Sequence, residues 1–143
     1  MSQEVAAIYT GILEQVMRVE KLKRALSKQI LTVKDKKRRL DLICKFLEYD
    51  LNKHQLFEQA AVIALSNGED SIAQHIQALY EPFGDGELIE RIRKELGYTH
   101  RFIQVMDKAK NQPELLSFTE RRMVQEISKY VLAQCRLYTQ LKA

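Results

Sequence analysis

Glycine and proline are scarce in this 143-residue chain, with five and two residues respectively. A β-sandwich or barrel needs a turn about every 8–12 residues and usually builds it from these residue types. The longest unbroken apolar run, Ala60 to Leu65, is far shorter than the ~20 residues that cross a bilayer. The sequence therefore excludes an all-β fold and a membrane-spanning helix.

Cysteine is equally rare, because Cys44 and Cys135 are the two in the chain. Two cysteines are too few for a disulfide scaffold, and both stand beside apolar positions of predicted helices. We expect them to be buried structural thiols. The first residues carry Glu4 where a secretion signal has basic residues, so we expect a cytoplasmic protein.

Catalytic motifs are missing as well. The chain has no Gly-x-Ser-x-Gly elbow, no glycine-rich phosphate loop and no Cys-x-x-Cys pair. His54 stands four residues after Asp50 and four before Glu58, which resembles part of a hemerythrin-like or di-iron arrangement. No Glu-x-x-His motif completes such a site. The structural alternatives are a polar layer that fixes helix register, or an exposed i, i+4 pair with Leu51 pointing inward instead. We predict a non-enzymatic protein without metal or cofactor.

Apolar residues at three- and four-residue steps are abundant, and they predict helices. The first helix should cover about residues 2–30, and the four residues Thr32–Asp35 fit an acidic capping box that starts the second. Asn67-Gly68 should end the second helix. The two predicted apolar stripes are Val5, Ile8, Ile12, Val16, Val19, Leu22, Leu26 and Ile30, then Leu40, Ile43, Leu47, Leu51, Phe57, Ala61 and Ala64.

The second half of the chain is less regular. A short helix should end near Pro82, and Phe83–Gly86 should form a turn with Asp85 as the next N-cap. Gly97 interrupts the next apolar stripe and leaves open whether that helix is continuous. A capping box at Ser117–Glu120 should start the last helix, near 118–142.

Together these elements predict one all-α domain over residues 1–143. We expect an antiparallel four- to five-helix bundle with long first, second and last helices and a broken third segment.

Charge is distributed unevenly along the chain. Residues 18–39 contain ten basic and two acidic side chains, a net charge of +8, whereas the other residues sum to −4 within the total of +4. The fields of clustered cations add, which favours an anionic partner. The candidate binding residues are Arg18, Lys21, Arg24, Lys36, Lys37, Arg38 and Arg39.

A basic cluster is compatible with several roles: binding an acidic protein, binding nucleic acid, binding an anionic membrane face, or keeping a solvated tip soluble. No aromatic residue lies within 18–39 to stack on single-stranded bases. Elsewhere Phe102 in the stretch Tyr98–Phe102 is better explained as a core residue. A helix-turn-helix over Ile72–Phe102 would place Arg91, Arg93 and Lys94 on its second helix. The N-terminal end of that helix, which would enter the DNA groove, carries three carboxylates that repel phosphate.

Two further patterns favour a protein partner. Ala60–Leu65 is apolar nearly all round, so it either runs through the bundle or faces a second subunit. Tyr130 and Tyr138 should share a face of the last helix, with Tyr9 as a third ring. We therefore predict an adaptor, regulator or complex subunit that binds another macromolecule, above all a protein, and that can form a homodimer. The alternatives are a nucleic-acid-binding protein that uses the basic residues and a metal-dependent enzyme with its site around Asp50, His54 and Glu58.

Overall fold

The computed structural model describes residues 3–80 and 87–140, and these residues contain helices and no strand. This confirms the predicted all-α fold with its long first, second and last helices. No described helix combines the length and apolar character that crossing a membrane requires. The helices are α1 (Gln3–Thr32), α2 (Lys36–Ser66), α3 (Asp70–Tyr80), α4 (Leu88–Asn111) and α5 (Phe118–Gln140), with a short 3-10 turn at Pro113–Leu115 before α5.

The chain divides into two compact units. The first contains the described residues up to Val19 and those between Leu51 and Tyr98, and the second contains Glu20–Asp50 and the described residues from Thr99 onward. Helices α1, α2 and α4 each contribute residues to both units. That the two units form one domain stays a prediction.

In the second unit, four helical segments alternate in direction. Residues 33–35 join α1 to α2 as a tight hairpin. Lys110 Nζ lies 2.8 Å from Asp41 Oδ1, which brings the end of α4 to the start of α2. The Tyr138 hydroxyl donates to Glu20 Oε2 at 2.7 Å, which brings the end of α5 to α1. The core of this unit contains Leu26, Ile30, Leu42, Ile43, Phe46, Leu47, Val105, Met106, Ile127, Val131 and Cys135.

The first unit has an apolar core of its own, to which α3 contributes Ile72 and Ile76. Small residues of α2 lie at its centre, because Ala60, Ala61 and Ala64 are buried. One face of the segment Ala60–Leu65 is therefore packed into this core. The other buried residues of this unit include Val5, Ile12, Val16, Val19, Leu56, Phe57, Leu88 and Ile92.

Two predicted helix ends are confirmed. Gly68 adopts a φ of +65° after α2, and the backbone N–H of Glu69 donates to the carbonyl of Ala64 at 2.8 Å. Both features belong to a Schellman motif, which satisfies carbonyls at a helix end. At the start of α5, the Ser117 hydroxyl accepts the N–H of Glu120 at 3.1 Å while Glu120 accepts the N–H of Ser117 at 3.0 Å. This reciprocal pair is the predicted capping box.

The predicted capping box before α2 is wrong. Thr32 still belongs to α1, and its hydroxyl donates to the carbonyl of Lys28 at 2.9 Å. Asp35 is the N-cap instead, since its Oδ1 accepts the backbone N–H of Lys37 at 3.2 Å. Asp35 directly precedes the helix, which places its carboxylate beside the N–H groups that lack a helical partner.

Parts of the two predicted stripes are also wrong. Ile8 and Leu22 are 44% and 49% exposed, and at the second of these positions the buried face of α1 passes through Lys23 instead. Leu40 and Leu51 are half-buried, and Leu40 packs against the core as predicted. Phe102 packs against the core as expected. The predicted helix end at Pro82 and the turn Phe83–Gly86 lie outside the described residues.

Gly97 leaves α4 continuous from Leu88 to Asn111. Its backbone is helical and exposed, and no atom outside the local backbone lies within 4 Å of where a Cβ would be. Burial of neighbours such as Ile92 holds the helix together despite the propensity of glycine.

We expect Gly97→Ala to raise the free energy of unfolding by about 1 kcal/mol, because alanine reduces the conformational freedom of the unfolded chain and fits the helix. Gly68→Ala, the same chemical change at a positive φ, should lower it by about 1–2 kcal/mol. Urea denaturation of both variants checks the pair. Shifts of the same sign would contradict the two backbone conformations.

Candidate interaction surface

The first turn of α2 consists of four cations in succession, Lys36–Arg39, with no acidic residue among them. The N-terminus of a helix carries a partial positive charge, so cations there are destabilising. Asp35 opposes them as the N-cap, and Lys34 precedes it in the turn. We name Lys34 together with Lys36–Arg39 the basic tip.

The four cations of this turn differ in their surroundings. Lys36 and Lys37 are exposed, and neither forms an ion pair within the part of the chain that the structure describes. Arg38 Nη1 lies 3.0 Å from Asp41 Oδ2, with both side chains about half exposed, so this pair contributes little to stability. Arg39 is half-buried and donates from Nη2 to the carbonyl of Val33 at 2.7 Å, which fastens the α1–α2 turn.

The predicted basic residues of α1 do not all join the basic tip. Arg18 is exposed but belongs to the first unit, whereas Lys21 and Arg24 belong to the second. Lys21 is exposed and Arg24 is half-buried. The structure therefore brings together Lys36–Arg39, and it places Lys21 and Arg24 further along the hairpin.

A groove between α2 and α5, with a volume of about 440 Å³, was not predicted from the sequence. Lys36, Arg39 and Lys129 contribute its charges, and Gln125 and Ser128 its neutral polar groups. Neither a carboxylate nor an aromatic ring is among the described residues that line it. Its apolar residues are Leu40 and Ile43 from α2 with Val124 and Leu132 from α5, and we name it the α2–α5 groove.

Lys23 lies in the basic stretch of the sequence but is not on the surface. It is 3% exposed, and its Nζ pairs with Asp50 in the interior of the second unit. The same Nζ lies 4.8 Å from the ring centre of Phe46 and 4.9 Å from that of Tyr138. A carboxylate and two aromatic faces thus replace the water that the ammonium loses on burial.

Tyr138 extends this buried network. Burial, followed by the hydrogen bond to Glu20, raises the pKa of its hydroxyl well above the usual value. The predicted common face with Tyr130 is wrong, since Tyr138 is 8% exposed and Tyr130 is 47% exposed. Residues eight apart are offset by about 80° around a helix, which suffices to separate a buried from an exposed position.

The carboxylates of the His54 motif are engaged in ion pairs. Asp50 pairs with Lys23, and Glu58 Oε2 lies 2.9 Å from Arg93 Nε. Among the described residues, no cluster of three or more potential ligands is placed to hold a metal ion. Both contacts match the structural interpretation of the motif.

The structure removes one cation from the helix-turn-helix alternative. Arg91 is 6% exposed, so its guanidinium cannot reach a phosphate backbone. Arg93 pairs with Glu58, but its side chain is exposed and this surface pair is weak.

Both thiols are buried, as expected. Cys44 lines a second cavity of about 390 Å³, and burial together with Asp107 raises its pKa to about 12. Burial also raises the pKa of Cys135. The thiolate is the nucleophilic form of cysteine, so these shifts make both side chains unreactive near neutral pH.

Comparison of the chain with protein-family models, with curated proteins and with solved structures finds no significant match to any of them.

Lys23→Met should lower the free energy of unfolding by about 3–5 kcal/mol, because it leaves the Asp50 carboxylate buried without a counter-charge. The double variant Lys23→Met/Asp50→Leu should recover most of that loss, since an apolar pair of similar volume needs no desolvation. Denaturant titrations of both variants and of Asp50→Leu measure the coupling. Additive effects would contradict a direct pair.

Glu120 provides a test by pH. Its hydrogen bonds from the Ser117 backbone and then from Lys108 lower its pKa to about 2. A carboxyl group with a lowered pKa stabilises the fold at pH values above its unfolded-state pKa of about 4.3. This stabilisation is lost as the pH falls towards the folded-state pKa of about 2. The stability difference between the native protein and Glu120→Gln should therefore be full at pH 7 and shrink below about pH 4.3.

The same carboxyl can be titrated directly by NMR. We expect Glu120 to titrate near pH 2 in the native protein, and at a higher pH in Lys108→Met. Titration at the ordinary value in both proteins would contradict the contact between α4 and α5.

Proposed function

We propose that this chain is a non-enzymatic helical interaction protein, an adaptor, regulator or complex subunit, whose basic tip binds an acidic surface of a partner protein. The observation that carries the proposal is the run Lys36–Arg39 in the first turn of α2. Like charges at adjacent positions repel each other, and the helix dipole opposes each of them.

Four cations in the first turn of α2 make the helix less stable than other residue types would at the same positions. A cation at a helix N-terminus is unfavourable by about 0.3–1 kcal/mol, and Glu or Asp there would be favourable by a similar amount. Foldable sequences satisfy local preferences except where function demands otherwise. An anionic partner would compensate both the cations and the dipole.

An acidic protein fits the surface better than a nucleic acid does. No aromatic ring lies within residues 18–39 or lines the α2–α5 groove, so neither region offers a platform for bases. The groove does offer apolar side chains, which suit a protein interface. Nucleic acid is the second candidate, because the exposed Lys21, Lys36 and Lys37 can neutralise phosphates.

The test compares the native chain with Lys36→Glu/Lys37→Glu, a variant of two exposed residues. Fluorescence anisotropy should show that a labelled Glu-rich peptide binds the native chain near physiological salt and more tightly than single- or double-stranded oligonucleotides do. The substitutions should lower the affinity for the peptide at least tenfold, which corresponds to about 1.4 kcal/mol of binding free energy. The thermal unfolding midpoint of the variant should not fall, because Glu at these positions favours the helix.

The matched control is Lys94→Glu/Arg101→Glu, which makes the same change in net charge at exposed positions of α4. It should leave peptide affinity almost unchanged. Equal losses of peptide affinity in both variants would mean that net charge, and not the basic tip, determines binding. Tighter binding of oligonucleotides, lost in the basic-tip variant, would overturn the protein partner in favour of nucleic acid.

A further inference from the structure

The α2–α5 groove combines an apolar floor with cations at its edge. Leu40, Val124 and Leu132 are half-buried, so they contact the core and still present apolar surface to the groove. Its volume of about 440 Å³ lies within the range of pockets that enclose ligands or anchoring side chains. A concave surface with an apolar floor and a few polar groups at its edge is typical of a binding site.

The charges around this floor have one sign. Lys36 and Arg39 stand on α2, and Lys129 stands across the groove on α5. The Nε atom of Arg39 is buried without a hydrogen-bond acceptor among the described residues. Glu126 lies 3.6 Å from Lys129, but both side chains are nearly three-quarters exposed, so this pair is weak and leaves Lys129 able to bind another anion.

From these features we infer that the α2–α5 groove binds one face of an acidic amphipathic helix of the partner protein; the inference rests on the proposed function and names the segment that is recognised. The lining of α5 from Val124 to Leu132 extends about 12 Å, or two helical turns. A helix that presents apolar residues at i and i+4 spans about 6 Å and fits this length. Acidic residues beside them reach Lys36, Arg39 and Lys129.

Other occupants match the groove less well. A nucleic acid would leave the apolar floor unused, and an uncharged apolar ligand would leave three cations without a counter-charge. The acidic helix uses both features at once. A second copy of this chain is a separate outcome of the test below.

The experiment selects helix-forming peptides from a random display library on the immobilised full chain, with soluble Lys129→Glu and native protein as competitors. We expect enriched peptides that carry two apolar residues three or four positions apart, flanked by Asp or Glu. Lys129→Glu should weaken these peptides at least tenfold, while Lys94→Glu, a matched change on α4, should not. In methyl NMR spectra of the native chain, addition of an enriched peptide should shift the signals of Leu40, Val124 and Leu132.

Each other outcome overturns the inference. Peptides that are weakened by Lys36→Glu/Lys37→Glu but not by Lys129→Glu would place binding at the basic tip, which leaves the proposed function intact. Indifference to both variants would reject the proposed function as well. No enrichment, or enriched peptides without acidic residues, rejects the acidic helix. A dimer in sedimentation that Lys129→Glu dissociates would assign the groove to a second copy.

Discussion

The buried ion pair between Lys23 and Asp50 is the constraint on which the second unit depends. A charge removed from water needs a partner, so these two side chains must meet whenever α1 packs against α2. Phe46 and Tyr138 extend the requirement to α5, because their rings lie within 5 Å of the same ammonium. A shift of α1 by one residue that put Leu22 in the place of Lys23 would leave the Asp50 carboxylate buried without a counter-charge.

This register also determines which charges reach the surface around the α1–α2 turn. The ammonium group of Lys23 is buried in the interior, whereas Lys21 is exposed to solvent. The carboxylates near the turn are engaged, since Asp35 caps α2 and Asp41 pairs with Lys110, which lowers its pKa. Lys34, Lys36 and Lys37 are therefore exposed cations without a carboxylate partner among the described residues, and their fields add at this turn.

Periodicity predicted the helices and capping signals predicted two of their ends, because both depend on neighbours in the sequence. Gly68 and the Ser117–Glu120 capping box illustrate this. Lys23 could not be found in the same way, since its burial depends on Asp50, which stands on another helix. The α2–α5 groove could not be predicted for the same reason, because Leu40 and Leu132 are far apart in the sequence and are brought together by tertiary packing. The cluster Lys36–Arg39 is visible in the sequence, but its conflict with the helix dipole depends on where α2 begins, which the structure places at Lys36 behind the N-cap Asp35.

Two helix starts in the second unit show what the basic tip lacks. In α5 the third helical residue is Glu120, which closes the capping box on Ser117 and accepts hydrogen bonds from Lys108 at 2.9 and 3.1 Å. In α2 the same position is Arg38, which can close no such box. Asp35 caps α2, but this one carboxylate faces four cations in the first turn, so the start of α2 keeps a net positive charge. A carboxylate of a bound partner would take the place at α2 that Glu120 occupies at α5, so binding would remove a conflict that the isolated fold retains.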